Sequence, residues 1–400
     1  MATVLIANIC GTSVSGALFG ACVGTLLYQI ITKFRSPMFI SSCGATVSGV
    51  CGALAMGSGD NYLMVAIGGL VILAIYGGFA LVTHFTGVKW INKIFPPAVV
   101  GSVTMVIGLN LATFIKTYTS TGNENIAWQV GIAIVVMLIV AVVSRYGKGF
   151  MKNIPFLFGI AGGYIICLIL YACGIKLIDF SSFSNMQWYP DFAFLHWRAS
   201  DWSWANFGRT CLYFIPVGIC AMLEHYSDHR VLSNIIGQDL TVDPGLSRTL
   251  LGDGAASFLG TVVCGLPNTS YGESIATTGF SKVASVWVIT AAAATLGVMS
   301  FVAPIQAFVQ SIPACVFGGC AMILYGYIAA SGLKTIIQSG LTLNDNKNLI
   351  IVSVVLTTGV SGIFFLDSAF TGVALAMVLG VALNFILKDE DVSTSLEKGA

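Results

Sequence analysis

Three carboxylates stand in stretches where charge is otherwise scarce: Glu224 and Asp228 in AMLEHYSDH, and Glu273 in SYGES. Charged side chains at membrane depth are costly and mark sites or ion paths. Glu224 and Asp228 are four residues apart, so on a helix they share a face. Two neighbouring carboxylates in a low dielectric resist ionising together, an arrangement suited to carrying a proton. His225 and His229 are also four apart, but a zincin motif needs Glu directly after the first His, and Tyr226 stands there. No metal site is expected; His225 reads as a packing residue and His229 as a helix-end residue. Asp253 and Asp367 read as solvated or capping groups near helix ends. No nucleophile–base pair suggests an intramembrane enzyme.

The elements that hold these acids are membrane-spanning. Of 400 residues, 56% are apolar and 9% charged, against roughly 25% charged in ordinary soluble proteins. A net charge of +1 offers no basic surface for nucleic acid. Apolar runs near the spanning length of roughly 20 residues fall near 12–33, 62–86, 96–115, 126–144, 154–175, 206–229, 246–264, 283–303, 313–331, 348–365 and 369–387. Two further stretches, 37–56 and 267–281, are broken by Ser, Thr, Gly and Pro. Residues 2–10 are apolar but short, as if the chain began inside a helix. The eleven cysteines are scattered without ligand spacing and read as free thiols.

The chain echoes itself. FPPAVVGSVTM at 95–105 matches IPACVFGGCAM at 312–322, and SSCGAT at 41–46 matches TSYGES at 269–274. The offsets, 217 and 228, fit one duplication with a small indel. Halves with an odd number of spans lie inverted, and in that plan substrate binds near the midplane where paired segments break. The two broken segments are the two that match, and Glu273 stands where the first copy has Ala45. That asymmetry points to a ligand-facing acid.

Placing the 33–36 loop inside puts fourteen Lys and Arg residues, Lys33, Arg145, Lys148 and Lys152 among them, in cytoplasmic loops. Lys116, Lys176, Arg198 and Arg209 fall outside, which accounts for all 18. The expected organisation is a first inverted repeat over 1–175, an aromatic-rich extracellular loop over 176–205, a second inverted repeat over 206–390, and a cytoplasmic tail over 391–400.

Several motifs carry a resemblance: GTLLY (24–28), FPP (95–97), GLNLA (108–112), EHYSD (224–228), DPGLSR (243–248), PNTSYGES (267–274) and LYGYIAASGL (324–333). Over essentially its whole length the sequence resembles the nucleobase–ascorbate transporter family, in its bacterial uracil permease branch. The resemblance implies an all-α polytopic membrane protein of two inverted repeats of seven segments, with core and gate domains. Short strands are expected in segments three and ten, at 40–46 and 269–274. It implies that Glu224 and Glu273 hydrogen-bond a nucleobase, that Gly44 and Gly272 donate backbone N–H groups to its carbonyls, and that Tyr271, Tyr325 and Ala2 line the pocket. A planar imide suits such a site, since its ring N–H groups donate and its carbonyls accept. Glu224 and Asp228 would couple a proton, making the protein a uracil:proton symporter of the inner membrane, with no cofactor beyond the proton gradient. Membrane lipid surrounds it, and the family implies a homodimer. Uracil permeases carry His at Asp228 and Phe at Gly44, which keeps a xanthine or other purine symporter open. An anion channel or exchanger on the same fold is the alternative of another class, but it calls for a basic group at the broken segments, and none is there.

Overall fold

The computed structural model describes residues 2–42, 44–57, 59–119, 125–184, 186, 188–363 and 372–387. The side chains of Ala2, Leu5, Ala45, Lys89, Asn92, Phe114, Phe150, Asn153, Ser182, Glu273, Ala276, Phe280 and Ala374 lie outside that description. Asp367, Lys388, Lys398 and the expected tail fall outside it as well.

The first half of the chain forms α1 (Ala2–Cys10), α2 (Val14–Ile31), β1 (Ile40–Ser42), α3 (Val47–Leu54), α4 (Tyr62–Thr86), α5 (Lys89–Ile94), α6 (Pro97–Leu111), α7 (Phe114–Thr119), α8 (Ile126–Tyr146), α9 (Phe150–Asn153) and α10 (Pro155–Ala172). The second half forms α11 (Trp204–Ile236), α12 (Leu246–Cys264), β2 (Asn268–Ser270), α13 (Gly272–Ser281), α14 (Val286–Met299), α15 (Ala303–Ser311), α16 (Ala314–Gln338), α17 (Asn346–Val360) and α18 (Gly372–Ile386). Helix starts follow local chemistry. Asn61 accepts from Met64 N at 3.0 Å and Ser203 from Asn206 N at 3.0 Å, each capping an orphan donor of a long helix. The echoed prolines do matching work: Pro96 and Pro313 are the N-caps of α6 and α16.

Among the described residues, seven helices are long and apolar enough to cross a membrane, or eight if one bent pair counts as a span. That pair begins in the run expected near 283–303 and continues beyond it. The helix stops at Met299 and resumes at Ala303 turned by 90°; α15 then starts with Pro304 in its first turn, where its missing N–H costs nothing. Leu138, Val142, Leu157, Ile165 and Ile169 on α8 and α10 are exposed, the lipid-facing pattern of helices apolar all round.

The helices pack as two groups. In one, α12 packs on α2 and α4, α11 on α3 and α4, and α14 on α2. In the other, α6 packs on α16, α17 and α18, and α8 on α10 and α16. The groups meet mainly through α11, which touches α6 and α18. Small residues allow the close crossings: a side chain at Gly69 of α4 would run into Thr261 of α12. Segment 191–201 closes over one end of the first group. Phe192 meets Phe19 edge-on at 5.5 Å, Tyr62 meets His196, and Asn61 donates to the Asp201 carbonyl at 3.3 Å.

Candidate functional site

β1 and β2 form a two-stranded antiparallel ribbon buried in the first group, with Ile40 opposite Ser270, Ser41 opposite Thr269 and Ser42 opposite Asn268. Three residues extend about 10 Å at the usual strand rise. Each strand runs into a helical start: β1 into a 3-10 turn at Gly44–Thr46 and then α3, β2 into α13 at Gly272. Two helical N-termini, with their unpaired N–H groups and positive dipole ends, therefore lie at opposite ends of one short ribbon. Side chains replace the ladder bonds that a wider sheet would supply. Thr25 Oγ1 donates to the Ile40 carbonyl at 2.8 Å and accepts from Ile40 N at 3.1 Å, and Gln29 Nε2 donates to the Met38 carbonyl at 3.1 Å. The hydroxyls of Thr3 on α1 and Ser41 on β1 meet at 2.5 Å.

α11 runs past this ribbon, touching β2, α13 and the 3-10 turn at Gly44. It is 33 residues long and carries Pro216 inside, where the missing N–H interrupts the helical ladder two turns before Glu224. Glu224 and Asp228 are both half-buried on it. Asp228 Oδ2 and Ser270 Oγ are buried, each without a partner in ordinary hydrogen-bond geometry among the described residues, although the Ser270 hydroxyl lies close enough to act on the Asp228 carboxylate. A Cβ built on Gly272 would lie 3.9 Å from both Asp228 oxygens, so a side chain there would touch this carboxylate. A carboxylate oxygen left open beside the start of a helix can accept from a donor of a small ligand.

The other expected residues distribute as follows. Tyr271 caps α13, donates its N–H to the Phe39 carbonyl at 3.1 Å and sets its ring 6.0 Å from that of Phe39. Gly44 faces α6: a Cβ there would meet Leu111 Cδ1 at 2.6 Å. The space over Gly44 is thus filled from the second group. Tyr325 is buried on α16, and its carbonyl borders Gly108, one turn before Leu111 on α6. It packs within the second group. Glu273 takes its place in the first turn of α13, but its side chain lies outside the described residues, as does that of Ala2 at the start of α1.

Two expectations are corrected. Asp253 is neither solvated nor capping: it lies in the body of α12, fully buried. Its Oδ2 pairs with His225 Nδ1, accepts from Thr269 Oγ1 at 2.8 Å and accepts from Ser270 N at 3.2 Å. It ties β2 to α11 directly behind the acids. His229 is not at a helix end, because α11 continues to Ile236. Its Nδ1 donates to the His225 carbonyl at 2.9 Å, leaving Nε2 to meet the Tyr28 hydroxyl at 2.7 Å. His225 also packs, its Nε2 being 3.1 Å from Thr249 Oγ1. One sequence signal could have found Asp253: it follows Leu246 by two turns inside an apolar run, too deep for a cap.

A ribbon flanked by two half-helices, crossed by a long helix bearing acids, inside a bundle of apolar helices, defines an integral multi-pass membrane protein of the transporter class. The fold is shared with the transmembrane domain of a cyanobacterium bicarbonate transporter, BicA (TM-score 0.60, 14% identity, 96% of this chain and 92% of that one). It is shared also with SLC26A9 (TM-score 0.65, 13% identity, 95% of this chain and 62% of that one). Residues 1–369 match the Permease family, Xan_ur_permease, and the chain belongs to that family. Its relatives include the uracil permease of Bacillus caldolyticus, 35% identical over 393 residues (96% of this chain, 88% of the relative). The uracil permease of Bacillus subtilis (strain 168) is 35% identical over 408 residues (98% and 91%). That of Escherichia coli (strain K12) is 32% identical over 396 residues (97% and 88%).

Proposed function

We propose that this permease imports uracil in symport with protons across the cytoplasmic membrane. The observation that carries this reading is the Asp228 carboxylate against Gly272 at the start of α13, one helical turn from Glu224, with a buried oxygen unsatisfied among the described residues. The likeness to uracil permeases over nearly the whole chain supports the substrate. In this reading Glu224 and Glu273 accept from the ring N–H groups, and the backbone N–H groups at Gly44 and Gly272 donate to the carbonyls. Tyr271, Tyr325 and Ala2 wall the pocket. The 95–105 and 312–322 echoes, both helix starts on a proline cap, and the mutual pairing of the 41–46 and 269–274 echoes support two inverted repeats of seven. The first helical group acts as the substrate-carrying core and the second as the gate. The count of basic residues supports loops 33–36 and 145–152 and the C-terminus in the cytoplasm.

Glu224 and Asp228 share a proton when the empty site faces outward. Protonation lets the neutral base settle and the core move; deprotonation inside releases it. A proton can drive that switch only by altering the balance of the two states. Asp228→Asn mimics a permanently protonated neighbour. The variant is expected to bind uracil nearly as wild type does while its uptake into proteoliposomes no longer responds to an imposed pH gradient. Gradient-driven accumulation by Asp228→Asn equal to wild type rejects the shared proton. Excess unlabelled xanthine in the same assay distinguishes a purine symporter by competing as well as uracil.

A further inference from the structure

A cleft of about 370 Å³ opens along the second half of α4, away from the ribbon site, a volume within the range of small-molecule pockets. Ile75, Gly78, Phe79 and Val82 form its floor at helical spacing, with Trp90 of α5 and Ile219 of α11 as walls. Its lining is almost wholly apolar. A side chain at Gly78 would meet nothing within 4 Å, so the glycine keeps the slot open. Phe79 stacks on Trp90 with ring centres 5.4 Å apart. The buried indole Nε1–H of Trp90 has no acceptor among the described residues. Leu81, Val82 and Phe85 beside the mouth are exposed on this lipid-facing helix.

The cleft ends at a basic turn. α5 reads KWINKI, with Lys89 and Lys93, and no Asp or Glu occurs anywhere from Asn61 to Asn123. Lys93 is exposed. Lipid tails are as apolar as these walls, so the slot can select the shape of a chain but not the class of lipid. Class must be read by the headgroup, and a basic turn at the membrane surface favours an acidic one by about fivefold per lysine.

We propose that this cleft binds an acidic phospholipid. One acyl chain lies against Phe79, Val82 and Ile219, and the anionic headgroup meets the Lys89–Lys93 turn. An ester carbonyl at the Trp90 wall supplies the acceptor that the indole lacks. α4 and α11 belong to the first helical group, whereas α5 leads directly into α6 of the second. The lipid therefore sits across their junction.

Native mass spectrometry of the purified full chain, exchanged into equal phosphatidylglycerol and phosphatidylcholine, tests this without reference to transport. Wild type is expected to retain phosphatidylglycerol roughly tenfold in preference. The double variant Lys89→Gln/Lys93→Gln should lose that preference while still retaining lipid. Gly78→Leu, which fills the floor, should retain less of both lipids. Lys93 is exposed, so the lysine variant keeps the test valid even if Gly78→Leu folds poorly. Equal retention of the two lipids by wild type overturns the proposal, as does an unchanged preference in the lysine variant. Undiminished lipid retention by a folded Gly78→Leu protein overturns it too.

Discussion

Asp253 receives three hydrogen-bond donors on one oxygen, from His225, Thr269 and the Ser270 amide, while its Oδ1 has none among the described residues. It fixes both the position of β2 and the ring of His225, whose neighbour in sequence is Glu224. Asp253→Asn removes the charge that strengthens these bonds and can turn an N–H₂ toward donors. Losing a charge-assisted partner costs about 1.5–3 kcal/mol; a lower thermal midpoint in detergent and weakened uracil binding are both expected. A melting curve and binding isotherm matching wild type remove Asp253 from the site's framework. Glu273→Gln tests the base-reading acid itself. The substitution puts a donor where an acceptor is needed, so uracil affinity should fall roughly 10- to 150-fold, measured by isothermal titration. Near-normal affinity refutes its role. Sequence pointed to Glu224 and Asp228 because their spacing is local and their apolar surroundings are visible in the chain. It misplaced Asp253 because its partners, 28 and 16–17 residues away in sequence, meet it only through packing.

At the scale of elements, apolar run length carried most of the information. The expected run 62–86 is α4 itself, and 126–144 is α8 less its last two residues. The 283–303 run contains α14 but gives no sign of the 90° turn into α15, which hydropathy cannot register. Small residues set what hydropathy also misses, namely how closely helices approach. α6 and α16, the two proline-capped echoes, cross where a Cβ on Gly332 would collide with the Gly101 carbonyl and come within 2.6 Å of Met105 N. Backbone cannot yield as a side-chain tip can. Gly332→Val should therefore destabilise the protein by roughly 1–3 kcal/mol or more, read as a lowered unfolding midpoint in detergent. Gly326→Ala on the same helix, where a Cβ meets nothing within 4 Å, provides the control and should be neutral or slightly stabilising. Equal effects from the two would mean that the crossing is loosely packed and that α16 can shift along α6.

Across the whole molecule, the candidate site acids and both ribbon half-helices lie in one helical group, while Leu111 approaches from the other. On the proposed reading of the first group as core and the second as gate, transport requires the groups to move relative to each other. Cys220 lies one turn before Glu224 on α11, and its Sγ is 3.5 Å from Met377 Sδ on α18 of the second group. Both side chains are buried, so the contact joins the groups at the level of the site. Met377→Cys, in a chain whose other ten native cysteines are replaced, places two thiols across that junction. A mercuric ion, which binds two thiolates in line, should bridge them. If substrate release requires the groups to slide, bridging should abolish uracil uptake while equilibrium binding by the trapped state persists, and a dithiol chelator should restore uptake. The same background with Cys220 alone controls for simple thiol modification and should keep its uptake under mercury. Uptake that continues at the wild-type rate in fully bridged protein would show that α11 and α18 move as one body. The moving boundary would then have to lie elsewhere, between α11 and α6 or within the second group itself.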